Sequence, residues 1–453
     1  MRCLSPSLLC LATLAQATLV KGPYLQLLTD SSAVVRWETS SRLPGKVQYG
    51  LTSAYGSEVS HTDSLIDHEL PMPGLVTDTA YHYRVLSGSD SSADASFRSM
   101  AGPEKPFTFF AVSDNHSDSA SHQKVLDRML ANSAVPVLLL NSGDFTGNSG
   151  ASQYDTYFNI ERPLLGRTVL YPSLGNHDVD TMSYWYRFFT LPNNERWYRV
   201  RYGNSAFYCL NGYESLVSGS SQYQWLTTAL RADSADPTVR HRFAWLHTPP
   251  YSTNSVYSGN ADARTYVCPL FERYGVELVF SGHVHAYEHS QVNGVHYITT
   301  GGGGASLSTG WNAAQPWTVY REACYEFVRV DVGTDSIVAR GIRVNGTEFD
   351  SLLLVRTGSV EPAPAGHALA RLSAAPGVSR GRVCLTLEAA ASGPAELSVS
   401  DASGRALALI HRGFLTAGTH VFTWQPAGVP PGVCFAQAAT GGLTLSARLV
   451  LLR

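Results

Sequence analysis

No apolar run in this chain is long enough to cross a bilayer as a helix. Charge is scarce as well: 15% of residues are Asp, Glu, Lys or Arg, and the formal net charge is −3. The first absence argues against a transmembrane segment. The second removes any bulk electrostatic attraction to nucleic acid or anionic lipid, so the chain carries no nucleic-acid-binding signature. Cysteine is sparse, and none of the seven stands in C-x-x-C spacing, which leaves no ground for a zinc finger or a dithiol redox centre. No period of 20–50 residues recurs, which argues against a solenoid.

What is present describes folded protein. Hydrophobic residues make up 44% of the 453 positions, too long a chain for one ordinary core, and two to four domains are expected. Thirty-nine Gly, 23 Tyr and 8 Trp, with few Lys, suit strand-rich extracellular architecture. The opening "MRCLSPSLLCLATLAQA" has one positive charge, a short apolar run, and Ala15 and Ala17 in A-x-A arrangement. It reads as a secretory signal peptide, residues 1–17, and implies export. Cys3 and Cys10 would leave with it. Cys209, Cys268, Cys324, Cys384 and Cys434 remain, an odd number, so at least one is unpaired or bonded outside the chain. All five are read as structural or free thiols.

Residues 20–100 read as short strands between turns ("AVVRWET", "GKVQYG", "AYHYRVLSG", "ASFRSM"), one small β-sandwich that ends at the Pro- and Gly-bearing "AGPEKP". From Phe107 the rhythm changes. "FTFFAVSD", "VPVLLLNSGD", "TVLYPSLGNHD", "HRFAWLHTPP" and "VELVFSGHVH" are apolar runs too continuous for strands with one wet face. They predict buried strands covered on both sides. Val125, Leu126, Met129 and Leu130 repeat at helical spacing between the first two, so residues 105–350 form an α/β layered domain. A Pro-, Gly- and Ala-rich linker over 356–372 precedes a second set of regularly spaced strands, expected to form another β-sandwich over 373–453.

Each buried strand of the middle domain ends in residues of metal-ligand type: Asp114 and His116; Asp144; Asn176, His177 and Asp178; His247; His283 and His285. Taken singly each has a bland reading, since Asp after Gly is a common turn residue and a histidine beside two prolines is more often packed than ligating. "GHVH" is stronger, because residues i and i+2 of extended chain share a face. Ligand sites of α/β sheets gather at strand C-terminal ends, and five such endings make coincidence the poorer explanation. Two metal ions about 3.5–4 Å apart need a bridging carboxylate, and such a pair activates water and clamps phosphoryl oxygens. Imidazole, carboxylate and amide donors suit Zn, Mn, Fe or Co.

"SDNH", "SGD", "GNHD", "LHTPPY" and "GHVHAYEHS" occur in the order and spacing of the calcineurin-like metallophosphoesterases, which the chain resembles. Within these it is most similar to the purple acid phosphatase branch. "KGPYLQLLTDSSAVVRWET" with "TAYHYRV" resembles the fibronectin-III-like domain that precedes catalysis there, and "YITTGGGG" has its usual place after "GHVH". The resemblance implies a four-layer α/β core of two stacked sheets between helices, flanked by small all-β domains. It implies two divalent or trivalent metal ions (Fe, Zn or Mn). Asp114, His116, Asp144 and His285 would hold the first, and Asp144, Asn176, His247 and His283 the second, with Asp144 bridging. His177 would face the phosphate as donor or general acid, oriented by Asp178. Tyr251 and Tyr287 are expected to be packing residues.

Two positions depart from the purple branch. Its G-D-x-x-Y supplies a tyrosinate that colours the iron, and here the frame is Gly143–Asp144–Phe145–Thr146–Gly147. Its first motif is D-x-G, whereas Asp114–Asn115–His116 has the D-x-H form of the wider superfamily. One ligand is lost and another gained at the same metal, which predicts a colourless enzyme. His289 also stands where the branch has Arg, and alters either anion binding or outer packing. The tail "SDASGR…AGTHVFTW…PPGVCF…RLVLLR" resembles the C-terminal sorting domain of the bacterial type IX pathway. With the leader it implies a Gram-negative bacterium, passage through the periplasm and release to the cell surface or medium by that secretion machinery. The expected function is a secreted phosphate-monoester hydrolase with a small-molecule phosphate ester as substrate. A phosphodiesterase or nucleotide hydrolase on the same metals is the alternative, and a non-catalytic surface-binding protein the remote one.

Overall fold

The structure, a computed structural model, describes residues 19–356 apart from 149 and 181, and residues 371–452 apart from 376–377, 380, 390–392, 402–404, 417 and 441–442. The expected signal peptide and nearly all of the expected 356–372 linker lie outside the described residues. The chain divides into two compact units between residues 359 and 360.

The first unit begins with strands β1 (Leu19–Gln26), β2 (Ser32–Gly50), β3 (Ser57–Pro73), β4 (Ala80–Ser87), β5 (Asp90–Ser91) and β6 (Ala95–Arg98). "AVVRWET" and "GKVQYG", expected as two strands, form one: β2 runs through both, with register shifts against β3 between Glu38 and Gly45 absorbing the polar stretch. Then follow β7 (Phe107–Val112), α1 (Ser119–Leu130), β8 (Leu138–Asn141), α2 (Ala151–Leu165), β9 (Val169–Pro172), α3 (Asn176–Val179) and α4 (Met182–Phe188). Asp118 caps α1, its Oδ1 accepting the Ala120 and Ser121 N–H groups at 3.0 and 3.2 Å. The buried face of α1 carries the expected Val125, Leu126 and Met129. Strands β10 (Tyr198–Tyr202), β11 (Ser205–Cys209), β12 (His241–Trp245) and β13 (Leu278–Ser281) come next, with α5 (Ser221–Ala235) and α6 (Cys268–Tyr274) between them. The unit closes with β14 (Tyr287–Val292), β15 (Val295–Thr300), β16 (Thr318–Glu322), β17 (Glu326–Val332), β18 (Ser336–Arg343) and β19 (Glu348–Val355).

Two sheets result. One runs β19-β18-β17-β7-β8-β9-β1-β2-β4-β5, and the other β10-β11-β12-β13-β15-β14-β16. Strands β7, β8 and β9 are mutually parallel, as are β11, β12, β13 and β15. Their inner faces meet through aromatic rings: Phe109 stands edge-on to Phe207, Phe243 and Phe280 at 5.1–5.8 Å. Helices α1 and α2 cover the outer face of the first sheet, and α5 and α6 that of the second, with Leu226, Leu230 and Phe271 in a core of their own. The expected four-layer α/β fold is present.

The N-terminal strands do not form a separate core. β1 pairs with β9 at Leu25–Val169, and Trp37, Tyr83 and Phe97 share one apolar cluster with Phe110 and Leu140. In the second unit a three-stranded sheet (Arg371–Ala375, Val383–Ala389, Gly418–Trp424) and a five-stranded sheet enclose Leu385, Leu397, Val399, Trp424 and Leu449. Period-two burial along Val383–Ala389 is what a two-sheet sandwich requires.

Candidate metal centre

Strands β7, β8 and β9 of one sheet and β12 and β13 of the other end at the same edge, so their C-terminal loops converge. Three of those loops use backbone that L-residues rarely adopt: φ is 60° at Asp114, 56° at Asp144 and 67° at His283. Neighbouring loops hold this conformation. The Asp114 N–H donates to the Gly143 carbonyl and Asn115 N–H to that of Asp144, both at 3.1 Å; Gly282 N–H reaches the His247 carbonyl at 2.9 Å. His283 N–H donates to Asp114 Oδ2 at 2.9 Å. Two motif glycines allow this closeness. A Cβ at Gly175 would collide with Asp144 Oδ1, and one at Gly282 with the Ser113 and Asp114 side chains.

The side chains form linked groups. Asp114, His116 and His285 place one ligand atom each within 4.8 Å of one another; so do Asp144, His247 and His283, and so do His116, Asp144 and His177. Asp144 Oδ2 lies 3.1 Å from His247 Nε2 and 4.0 Å from His177 Nε2. Asn176 Oδ1 stands 3.2 Å from His247 Nε2 and 2.9 Å from His283 Nδ1. All seven residues expected as ligands are therefore together. His247 Nδ1 and His285 Nδ1 face the carbonyls of Ser142 (2.7 Å) and Ser306 (2.9 Å), which keeps the proton on Nδ1 and turns Nε2 toward the cluster.

The donor set suits cations. Asp114 Oδ1 and His116 Nε2 are buried without a hydrogen-bond partner, a costly state that a bound cation relieves. Burial pushes His116 and His283 down to about 4, so at neutral pH both offer free lone pairs. Burial opposes charge on His247 too, but the Asp144 carboxylate outweighs it and lifts His247 to about 9. His247 in turn holds Asp144 below the usual carboxylate range against its own burial. Asp114, buried and near Asp144, is raised.

The sequence pattern of the calcineurin-like phosphoesterase family matches residues 107–287, the segment that carries every residue of this cluster. The chain carries a calcineurin-like phosphoesterase domain. Over 348 residues it is 26% identical to purple acid phosphatase 1 of Ipomoea batatas, covering 65% of this chain and 71% of that protein. Over 315 residues it is 27% identical to the Fe(3+)-Zn(2+) purple acid phosphatase 12 of Arabidopsis thaliana, covering 59% and 66%. A solved purple acid phosphatase from yellow lupin (Lupinus luteus) seeds shares the fold with a TM-score of 0.66 at 16% identity, over 76% of this chain and 77% of that one. The domain match and these homologues mark the chain as a metal-dependent phosphoester hydrolase.

Within the phosphoesterase domain Asp178 departs from expectation. It does not face the imidazole of His177. Its Oδ2 accepts the Gly175 and Asp144 N–H groups at 2.9 and 2.8 Å, and its Oδ1 the Tyr154 hydroxyl at 3.1 Å. Consecutive helical residues point about 100° apart, so a buried Asp178 and a half-exposed His177 cannot share a face. Burial and the nearby Asp144 raise Asp178 to about 7. Gly147 adjoins His116: a Cβ there would stand 3.4 Å from His116 Nδ1. Tyr251 packs on Tyr297 and Trp317, and Tyr287 is buried with its hydroxyl on Asp350 (2.7 Å). His289 is buried between Asp350 and His296, at 2.7 and 2.8 Å, and belongs to inter-sheet packing. Two contacts were not visible in the sequence. The Tyr213 hydroxyl donates to Asn176 Oδ1 at 3.1 Å, and the Tyr257 ring stands edge-on to His283 at 4.4 Å.

Among the described residues no helix is long and apolar enough to cross a membrane. All five described cysteines are unpaired.

Proposed function

We propose that this chain is a secreted phosphatase that hydrolyses phosphate monoesters at a two-metal centre. Asp114, His116, Asp144 and His285 hold one ion, and Asp144, Asn176, His247 and His283 the other. The observation that carries this assignment is the junction at Asp144, whose carboxylate belongs to a group with His247 and His283 and to another with His116. Two ions bound there supply a hydroxide nucleophile near neutral pH and polarise the phosphoryl oxygens.

The protein's own groups do the rest. His177, its side chain 35% exposed, stands at the open side of the cluster, where its N–H donates to a phosphoryl oxygen or to the leaving oxygen. Asp178 acts one step removed, bracing the Gly175 and Asp144 backbone from which the bridging carboxylate and Asn176 project. His116 takes the place of the tyrosinate ligand, because Gly147, where that tyrosine would begin, lies against it. For the C-terminal unit we propose the sorting role toward type IX secretion machinery that its sequence implies.

Metal analysis beside turnover of p-nitrophenyl phosphate and its bis-ester tests this. Bound metal, preference for the monoester, and no visible tyrosinate band with ferric iron are expected. Preference for the bis-ester would assign a phosphodiesterase instead; no metal and no turnover would make the chain a binding protein.

A further inference from the structure

We infer that Tyr213 contacts the substrate, donating a hydrogen bond from its phenol to the phosphoryl group on the Asn176 side of the cleft. This rests on the phosphoesterase assignment and adds a residue to it. Three groups converge on one amide oxygen. Asn176 Oδ1 is met by the Tyr213 hydroxyl at 3.1 Å, His247 Nε2 at 3.2 Å and His283 Nδ1 at 2.9 Å. The phenol thus sits at the edge of the ligand cluster itself, beside His247, whose ring centroid is 6.1 Å away. Yet Tyr213 is 38% exposed, so its ring also faces open space. An oxygen given to a metal ion has less to offer a hydroxyl donor, and the phenol is left facing the group held beside it. A phenol is protonated at ordinary pH and donates without a change of charge.

The turn that presents Tyr213 is braced from several directions. The Tyr213 N–H donates to Asn211 Oδ1 at 2.9 Å. Gln222 clamps the Asn211 backbone on both sides, accepting its N–H at 2.8 Å and donating to its carbonyl at 3.1 Å. Glu214 is held by Asn211 Nδ2 at 3.0 Å, Trp197 Nε1 at 3.2 Å and Arg196 at 2.9 Å. An exposed aromatic residue needs no such scaffold for stability. A donor that must stay within a fraction of an ångström of a reacting group does.

The test is Tyr213→Phe, which deletes the hydroxyl and keeps the ring. Hydrogen bonds to charged groups predict a loss of about 10- to 100-fold in kcat/KM and in affinity for inorganic phosphate, the latter measured by calorimetry. Metal content and melting temperature should match the wild type. Unchanged phosphate affinity and turnover in a metal-loaded variant would overturn the inference. So would a variant that loses metal while its loaded fraction binds phosphate normally, since Tyr213 would then only position Asn176. A wild-type chain without turnover would sink the underlying assignment, and this inference with it.

Discussion

His177 and Asp178 are neighbours in sequence and belong to different parts of the site. The imidazole of His177 stands half-exposed over Asp144, and the carboxylate of Asp178 turns inward to collect two backbone N–H groups and the Tyr154 hydroxyl. Their variants should therefore fail differently. His177→Ala should lower kcat by about 10²- to 10⁴-fold, the range of a lost proton donor, and leave metal content unchanged. Asp178→Ala removes the oxygen that accepts the Gly175 and Asp144 N–H groups. It should weaken metal binding by about 10- to 100-fold, as loss of a group that supports ligands does. Metal titration beside steady-state kinetics separates the two; equal metal loss in both variants would contradict the division.

At the scale of elements, the strands that carry the site are legible in the sequence because they are buried on both faces. β7, β8, β9, β12 and β13 read as nearly continuous apolar runs, and each is followed by a loop that carries a proposed ligand. Helix α5 is hidden because polar groups share its inner face, and α2 because a buried glutamate and an internal proline interrupt an otherwise apolar one. The buried positions of α5 are Gln222, Leu226, Leu230 and Asp233, the last paired with Arg199 at 2.6 Å, and α2 buries Glu161 and contains Pro163. Tyr213 is hidden because it comes from a turn after β11 and meets Asn176 only once the two sheets are stacked.

Strand β17 carries a further polar group with a measurable signature. Glu326 is buried under Thr300 and Gly302, and burial pushes it up to about 8. In the folded chain it stays neutral up to that pH, whereas in the unfolded chain it ionises above 4.5. Stability is therefore lost as pH rises between these values, on the order of a few kcal/mol at the upper end. Glu326→Gln should raise the melting temperature of metal-free protein increasingly from pH 5 to 8 and leave it unchanged near pH 4.5. A pH-independent difference would show that Glu326 is charged in the fold.

For the whole molecule, a break in the sequence need not be a break in packing. "AGPEKP" separates the N-terminal strands from the catalytic ones along the chain, but the core runs through both. Arg36 of β2 donates to Thr190 Oγ1 at 2.7 Å and to the Arg187 carbonyl at 2.5 Å, and Tyr24 to the Phe188 carbonyl at 2.7 Å. Buried Lys21 pairs with Glu38 at 2.6 Å and Asp155 at 2.7 Å, and lies 3.8 Å from the centre of the Phe188 ring. Removing residues up to 105 should give insoluble protein, whereas a chain ending at Ser359 should melt and turn over as the full chain does. Soluble, active protein from the first deletion would contradict the shared core. The central claim is that one carboxylate joins two metal sites, and metal stoichiometry of wild type and Asp144→Asn tests it most directly. Two ions per wild-type chain, at most one in the variant, and phosphate-ester turnover confined to the wild type are predicted. A variant that keeps both ions and full turnover would contradict it.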